Sequence, residues 1–135
     1  MKSFAVKGIA LAVLTGLAVP SFSSTSWAGI QDYEFQLVQP EVRQGDAAEI
    51  AVRLIDKRTG KAVPDAVIFA QRVDMAPDGM ETMTARIEAL PSTEPGVYRF
   101  KAKIIMEGGW RLSLGAKVQG EAGTLESRLV FKAVP

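Results

Sequence analysis

The sequence predicts an all-β protein, an immunoglobulin-like antiparallel β-sandwich of about seven strands. Apolar and polar residues alternate with period two along most of residues 33–135, and no stretch there sustains a helical period over three turns. Turn residues separate these alternating runs into segments of five to nine residues. Short strands divided by frequent turn signals are typical of a sandwich of two sheets.

The first predicted strands end at clear turn signals. "YEFQLVQ" at 33–39 alternates and stops at Pro40. "AEIAVRLID" at 48–56 places its alanine, isoleucine, valine and leucine side chains on one face. The turn-rich "KRTGKAVPD" follows, and "AVIFAQRVD" at 66–74 is then more continuously apolar. That composition predicts a strand with both faces partly covered.

The later strands alternate more regularly. "TARIEAL" at 84–90 is a short predicted strand, and "VYRFKAKI" at 97–104 alternates cleanly. "MEGG" predicts a tight turn, because glycine adopts positive φ at little cost. "WRLSLGAKV" at 110–118 predicts inward-facing Trp, Leu, Leu, Ala and Val, and "LESRLVFKA" at 125–133 completes the set.

A barrel of similar strand number is the alternative to the sandwich. The stretch "EPGVY" favours the sandwich, because Tyr98 lies just inside a late strand after Pro-Gly. This arrangement resembles the tyrosine corner, in which the hydroxyl bonds to backbone a few residues upstream.

The N-terminal segment predicts export. Residues 1–28 contain two lysines, an apolar run of eleven residues and a Ser-Trp-Ala end, which is the pattern of a secretory signal peptide. We expect cleavage between Ala28 and Gly29, which leaves 29–135 as one domain that is periplasmic or secreted. An uncleaved membrane anchor is the alternative, although the apolar run is shorter than the ~20 residues that span a bilayer.

Composition excludes several classes of function. Residues 29–135 carry 14 basic and 15 acidic side chains with no basic cluster, so no nucleic-acid partner is predicted. The chain has no cysteine and no histidine, and it has no G-x-S-x-G motif. We therefore predict no enzyme and no small-molecule substrate, because the usual bases and activated nucleophiles are missing. A domain of this size can fold without disulfides.

A calcium loop is suggested only in part by "DMAPDG". Asp74, Asp78 and Gly79 match positions 1, 5 and 6 of an EF-hand loop. The third position would be Ala76 and the twelfth Ala85, where oxygen ligands are required, and an EF-hand loop should be flanked by helices, whereas strands are predicted here. A turn with solvated acids is the favoured interpretation.

Methionine provides the remaining candidate ligands, because thioethers select soft monovalent cations such as Cu(I) and Ag(I). Three of the five methionines fall inside a nine-residue span of the predicted loop "RVDMAPDGMETM". A fourth begins the predicted "MEGGW" hairpin. An indole face at that hairpin can also contact a cation. The candidate residues are Met75, Met80, Met83 and Met106, with Trp110 and Asp74 in support. Alternatively, the methionines fill gaps or form an adaptable docking surface, and Trp110 fills the core.

The order of these motifs resembles the FixH/YtkA-like family. The stretches "RVDMAPDGMETM", "PGVYRFKAKIIMEGGWRLSLGAKVQGE" and "LESRLVFKA" carry the resemblance. The family consists of small exported or membrane-anchored immunoglobulin-like domains, and it implies association with a membrane cation pump or a heavy-metal efflux component. The positions carried over by resemblance are Asp74, Met75, Met80, Met83, Met106, Gly109 and Trp110.

Many such relatives place a histidine near the Asp-Met motif, and this chain has none. Divalent copper or zinc would lose its best ligand, so the expected cargo is Cu(I) or Ag(I). The leading hypothesis is therefore an accessory protein of copper or heavy-metal homeostasis. The alternative is a metal-free β-sandwich interaction module that docks on a membrane transporter or an assembly partner.

Overall fold

The computed structural model describes residues 29–135, and the predicted signal peptide at 1–28 lies outside the described residues. Ten strands form within this range: Tyr33–Leu37 (β1), Glu41–Arg43 (β2), Gly45–Asp56 (β3), Lys61–Ala62 (β4), Val67–Met75 (β5), Met80–Ala85 (β6), Ile87–Leu90 (β7), Val97–Ile104 (β8), Gly108–Lys117 (β9) and Leu125–Val134 (β10). Single turns of 3₁₀ helix cover Ile30–Asp32 and Ala76–Asp78. Among the described residues, no helix has the length and apolar character needed to cross a membrane.

The strands form two sheets of five strands each. The first sheet has the order β1-β3-β8-β7, with β4 also paired to β3, and the second has the order β2-β10-β9-β5-β6. All neighbouring strands are antiparallel except β2 and β10, which run parallel. The predicted sandwich is confirmed, and the barrel alternative is wrong, because the two sheets are separate.

The core lies between the sheets and follows the predicted alternation. In β3 and β8 the residues predicted to share one face are buried, apart from Tyr98, which is half-buried. Every residue predicted to point inward from 110–118 is buried. Removing this apolar surface from water is the main stabilising contribution, at roughly 25 cal/mol per Å².

Tyr98 forms the predicted tyrosine corner. Its hydroxyl donates to the carbonyl of Val63 at 2.6 Å and accepts from the N–H of Ala66 at 3.1 Å. Phe35 packs edge-on against the same ring, with ring centroids 6.2 Å apart. The corner joins the β4–β5 connection to β8.

The prediction of one continuous strand at 84–90 is wrong. Its first two residues end β6 in the second sheet, and β7 begins at Ile87 in the first sheet. The chain changes sheets at Arg86, whose carbonyl accepts the N–H of Lys103 at 3.0 Å. Two very short strands, β2 and β4, were not predicted, because two or three residues carry no readable alternation.

Two predicted turns differ from expectation. The predicted methionine-rich loop is a hairpin, because β5 continues to Met75, a 3₁₀ turn follows, and β6 begins at Met80. The predicted "MEGGW" hairpin is instead a crossing between sheets. The strand β8 belongs to the first sheet and β9 to the second, and residues 105–107 connect them.

Candidate functional site

The four candidate methionines lie at one end of the sandwich, which we call the methionine end. Met75 ends β5 and is paired in register with Met80, which begins β6. Met83 immediately precedes Thr84, the register partner of Asp74. Met106 lies in the crossing from β8 to β9, next to the start of β9. The structure therefore brings together two segments whose contact the sequence did not predict.

The methionines differ in access to solvent. Met75 is completely buried, whereas Met80 is 37% exposed. Met83 and Met106 are half-buried and pack against the core. The end therefore presents one exposed, two half-buried and one fully buried thioether.

Asp78 joins the β5–β6 turn to the start of β9. Its Oδ2 accepts the N–H of Gly109 at 3.1 Å. A Cβ at Gly108 would lie 2.5 Å from that oxygen and 3.0 Å from the Met75 methyl, so only glycine fits there. Gly108 also has φ of +134°, which L side chains rarely adopt.

Substitution of Gly108 by alanine should lower the free energy of unfolding by about 2–3 kcal/mol, from backbone strain plus displacement of Asp78 and Met75. Gly120→Ala is the matched control, because Gly120 has φ of +86° and open space around its Cβ position. It should cost only about 1 kcal/mol. Urea unfolding of both variants measures the difference. Equal losses of unfolding free energy in the two variants would show that the close contacts at Gly108 do not contribute to stability.

Trp110 lies in the core beneath the methionine end. Its side chain is fully buried, and its Nε1 donates to the carbonyl of Met106 at 3.0 Å. Phe131, its register partner in β10, is also buried. In this arrangement Trp110 fixes the crossing backbone and presents no open ring face to a cation.

Asp74 is a buried carboxylate held by cations. Its Oδ2 accepts from Arg72 Nε at 3.0 Å and from Arg111 Nη2 at 3.1 Å, and its Oδ1 accepts from Ala76 N–H at 2.9 Å. Burial by itself raises the pKa of Asp74, but these hydrogen bonds outweigh it and hold the pKa below its usual range. Arg72 also donates to the carbonyl of Glu81 at 2.9 Å, which ties β6 to the network.

Two of the acids near the turn are engaged within the fold. Asp74 is enclosed by arginines, and Asp78 bonds the backbone of β9. Residues 29–135 contain no group of three or more histidine, cysteine, aspartate or glutamate side chains placed to hold a metal ion. The partial EF-hand match therefore corresponds to a structural turn.

Sequence reasoning missed the arginine network and the contact between Asp78 and Gly109. Arg72 and Asp74 are two apart on a predicted strand and so share a face, which is a usable signal. Nothing in the sequence indicated that β5 and β9 are neighbours with Asp74 opposite Arg111.

The model of the YtkA-like family matches residues 28–115. The chain belongs to the YtkA-like family. The match spans β1 to most of β9, including all four candidate methionines, and it confirms the family resemblance found in the sequence motifs. No curated protein sequence matches this YtkA-like chain.

Several solved structures are distantly similar to this YtkA-like protein. The filamin domain of Lin-41 is 20% identical over 74% of this chain and 91% of its own, with a TM-score of 0.43. The C-terminal domain of ZirS is 16% identical over 93% and 88%, with a TM-score of 0.44. A conjugative transposon lipoprotein from Bacteroides eggerthii is 14% identical over 74% and 96%, with a TM-score of 0.35.

Proposed function

We propose that this protein is a periplasmic accessory protein of copper or heavy-metal homeostasis. It binds Cu(I) or Ag(I) as cargo through the methionine end and passes the ion to or from a membrane cation pump or a heavy-metal efflux component. The observation that carries the proposal is the gathering of Met75, Met80, Met83 and Met106 at one end of the sandwich.

The chemistry of the donor set fits this cargo. Thioethers are neutral, soft ligands that favour monovalent copper over hard or borderline cations. The whole chain lacks histidine and cysteine, the ligands that would favour zinc or divalent copper. Asp74 and Asp78 are occupied by arginines and by backbone, and the exposed carboxylates of Glu81 and Glu107 also lie at this end. A soft monovalent cation favours the thioether sulfurs over these hard oxygen donors.

The graded burial of the sulfurs suits an exchangeable site. Met80 is partly exposed, so it is the natural first contact for an incoming ion. Met83 and Met106 are half-buried. Met75 lies innermost and would join the ligand set only when the contact between its methyl group and Gly108 loosens.

Competition for Cu(I) with a colorimetric chelator under reducing conditions tests this proposal. The wild type should take up about one equivalent. Replacement of Met75, Met80 and Met83 by leucine should lower the affinity at least about tenfold, equal to about 1.4 kcal/mol. Leucine nearly conserves the volume of methionine, so the fold should persist.

A second variant tests whether Cu(I) binding depends on where the thioethers lie or only on how many there are. It adds three methionines to the triple-leucine protein at half-buried leucines away from the methionine end, namely Leu37, Leu90 and Leu129. Cu(I) affinity should stay low in this variant. Restored affinity, or unchanged affinity in the triple-leucine protein, would contradict the proposed site.

The alternative function is a metal-free module that docks on a membrane transporter or an assembly partner through the same end. The exposure of Ile105 (58%) and Met80 (37%) favours it, because both are apolar side chains at the methionine end. Leucine would then substitute for the methionines. Partner capture that survives both chelation and the triple-leucine change would support docking over metal binding.

A further inference from the structure

The outer face of the second sheet carries an apolar groove bordered by cations. Its middle cross-strand row contains Arg72 of β5, Ser113 of β9 and Arg128 of β10, in register. The adjacent row places Gly115 between Ala70 and Glu126. A shallow cavity of about 230 Å³ opens over these two rows.

Phe69 forms one wall of this groove. The register between β5 and β9 shifts between Ile68 and Ala70, which is a bulge that turns Phe69 onto the outer face. Its ring crosses Gly115, where an added Cβ would lie 3.3 Å from ring carbons. Phe69 nevertheless stays 56% exposed. The sequence predicted both faces of this strand to be partly covered, and that prediction is wrong for the outer face.

The charge of the face is unbalanced. The outward positions of β5, β9 and β10 carry five cations and two acids, on a domain whose total charge is slightly negative. The cations are Arg72, Arg111, Lys117, Arg128 and Lys132, and the acids are Asp74 and Glu126. Asp74 is already enclosed by two of the arginines. Among residues 29–135, Lys117, Arg128 and Lys132 form no ion pair.

The outer face of the first sheet is closer to charge balance, because two of its four outward cations are paired with acids of the same face, whereas Arg53 and Lys103 form no ion pair among residues 29–135. Arg99 pairs with Glu49 at 2.6 Å, and Lys101 pairs with Glu88 at 3.0 Å. The larger excess of positive charge therefore lies on the face that also exposes Phe69.

We propose that this face binds an acidic segment of a partner protein, with an apolar side chain of that segment seated between Phe69 and Gly115. Carboxylates of the partner would then reach Arg72 and Arg128 on either side of Ser113. Exposed aromatic and arginine side chains around a pocket are the typical anchors of protein interfaces. The proposal is independent of metal binding at the methionine end.

The concave shape favours a polypeptide over a membrane surface. The groove admits one inserted side chain, and the acidic Glu126 lines it. A lipid surface would instead favour a projecting apolar patch surrounded by cations alone.

The test uses a short synthetic peptide of alternating glutamate and leucine, titrated at low salt into the isotope-labelled protein expressed from the full chain. Backbone amide signals of Ala70, Ser113 and Gly115 should shift saturably. Peptides of alternating lysine and leucine, or of glutamate and serine, should not produce these shifts. Added salt should weaken the binding.

Two charge reversals provide the matched comparison. Arg128→Glu should weaken peptide binding about fivefold or more, because an unpaired cation of the groove becomes repulsive. Lys103→Glu should leave it unchanged, because Lys103 is an exposed cation of β8 on the opposite face. Both sites are exposed on strands, so their effects on folding are comparable.

Several outcomes would overturn the proposal. They are no saturable shift at millimolar peptide, shifts centred outside the groove, and equal effects of the two charge reversals. Binding to phosphatidylglycerol vesicles without peptide binding would assign the face to a membrane. Concentration-dependent shifts of the protein alone, without peptide binding, would assign it to a second copy of the chain.

Discussion

Replacement of Trp110 by alanine is expected to lower the free energy of unfolding by about 3–5 kcal/mol, the usual cost of deleting a large buried aromatic side chain. Trp110 is the largest fully buried side chain of the described residues and stands opposite Phe131 in the second sheet. The change also removes the hydrogen bond to the carbonyl of Met106. Urea unfolding followed by far-ultraviolet circular dichroism measures the loss.

Trp110→Phe is the matched variant, because it keeps a buried ring but removes the indole N–H. It should cost about 1–2 kcal/mol, from the smaller ring and the unpaired carbonyl of Met106. If thioethers alone carry metal binding, this variant also retains Cu(I) uptake. Uptake lost in a folded Trp110→Phe protein would show that the indole takes part. A loss below about 1 kcal/mol for Trp110→Ala would contradict its place in the core.

Asp74→Asn is expected to lower the free energy of unfolding by about 2–3 kcal/mol. Removing the charge leaves Arg72 and Arg111 without their shared carboxylate, which is costly for a buried pair. The estimate is below the usual range for buried pairs, because the arginine side chains are 55% and 26% exposed and solvent screens them. Glu49→Gln, which breaks the exposed pair with Arg99, is the control and should cost much less.

The same carboxylate should make stability depend on acid pH. The folded pKa of Asp74 lies below its unfolded value of about 3.9, so the unfolded state binds the proton more tightly. The stabilisation is complete above that unfolded value and is lost as the pH falls through the folded pKa. Wild type and Asp74→Asn should therefore converge in stability below pH 4. A constant difference between them across that range would contradict this account.

Local alternation predicted most of the fold, because side-chain direction in a strand depends on position within the strand. It identified the inward residues of β3, β8 and β9 and the hydroxyl contact of Tyr98. It could not place Ile87 in a different sheet from Ala85, since a change of sheet at Arg86 interrupts no hydrophobic pattern. The crossing at 105–107 resembles a hairpin in sequence, because it is short and is followed directly by the paired glycines Gly108 and Gly109.

The candidate site was predicted as a set of residues but not as an arrangement. The methionines stand out because sulfur ligands have a distinct chemistry, so composition alone nominates them. Their burial depends on contacts far apart in sequence, such as Met75 against Gly108, which no local pattern encodes. The placement of Asp74 directly opposite Arg111 depends on the order of strands in the sheet, which no local pattern encodes either.

The most direct test of the thioether site is titration of the protein, with ¹³C-labelled methionine methyl groups, by Ag(I). The methyl resonances of Met75, Met80, Met83 and Met106 should shift together and stop changing near one equivalent. Methyl signals that stay unchanged beyond one equivalent, or a shift confined to the exposed Met80, would contradict a shared site at the methionine end.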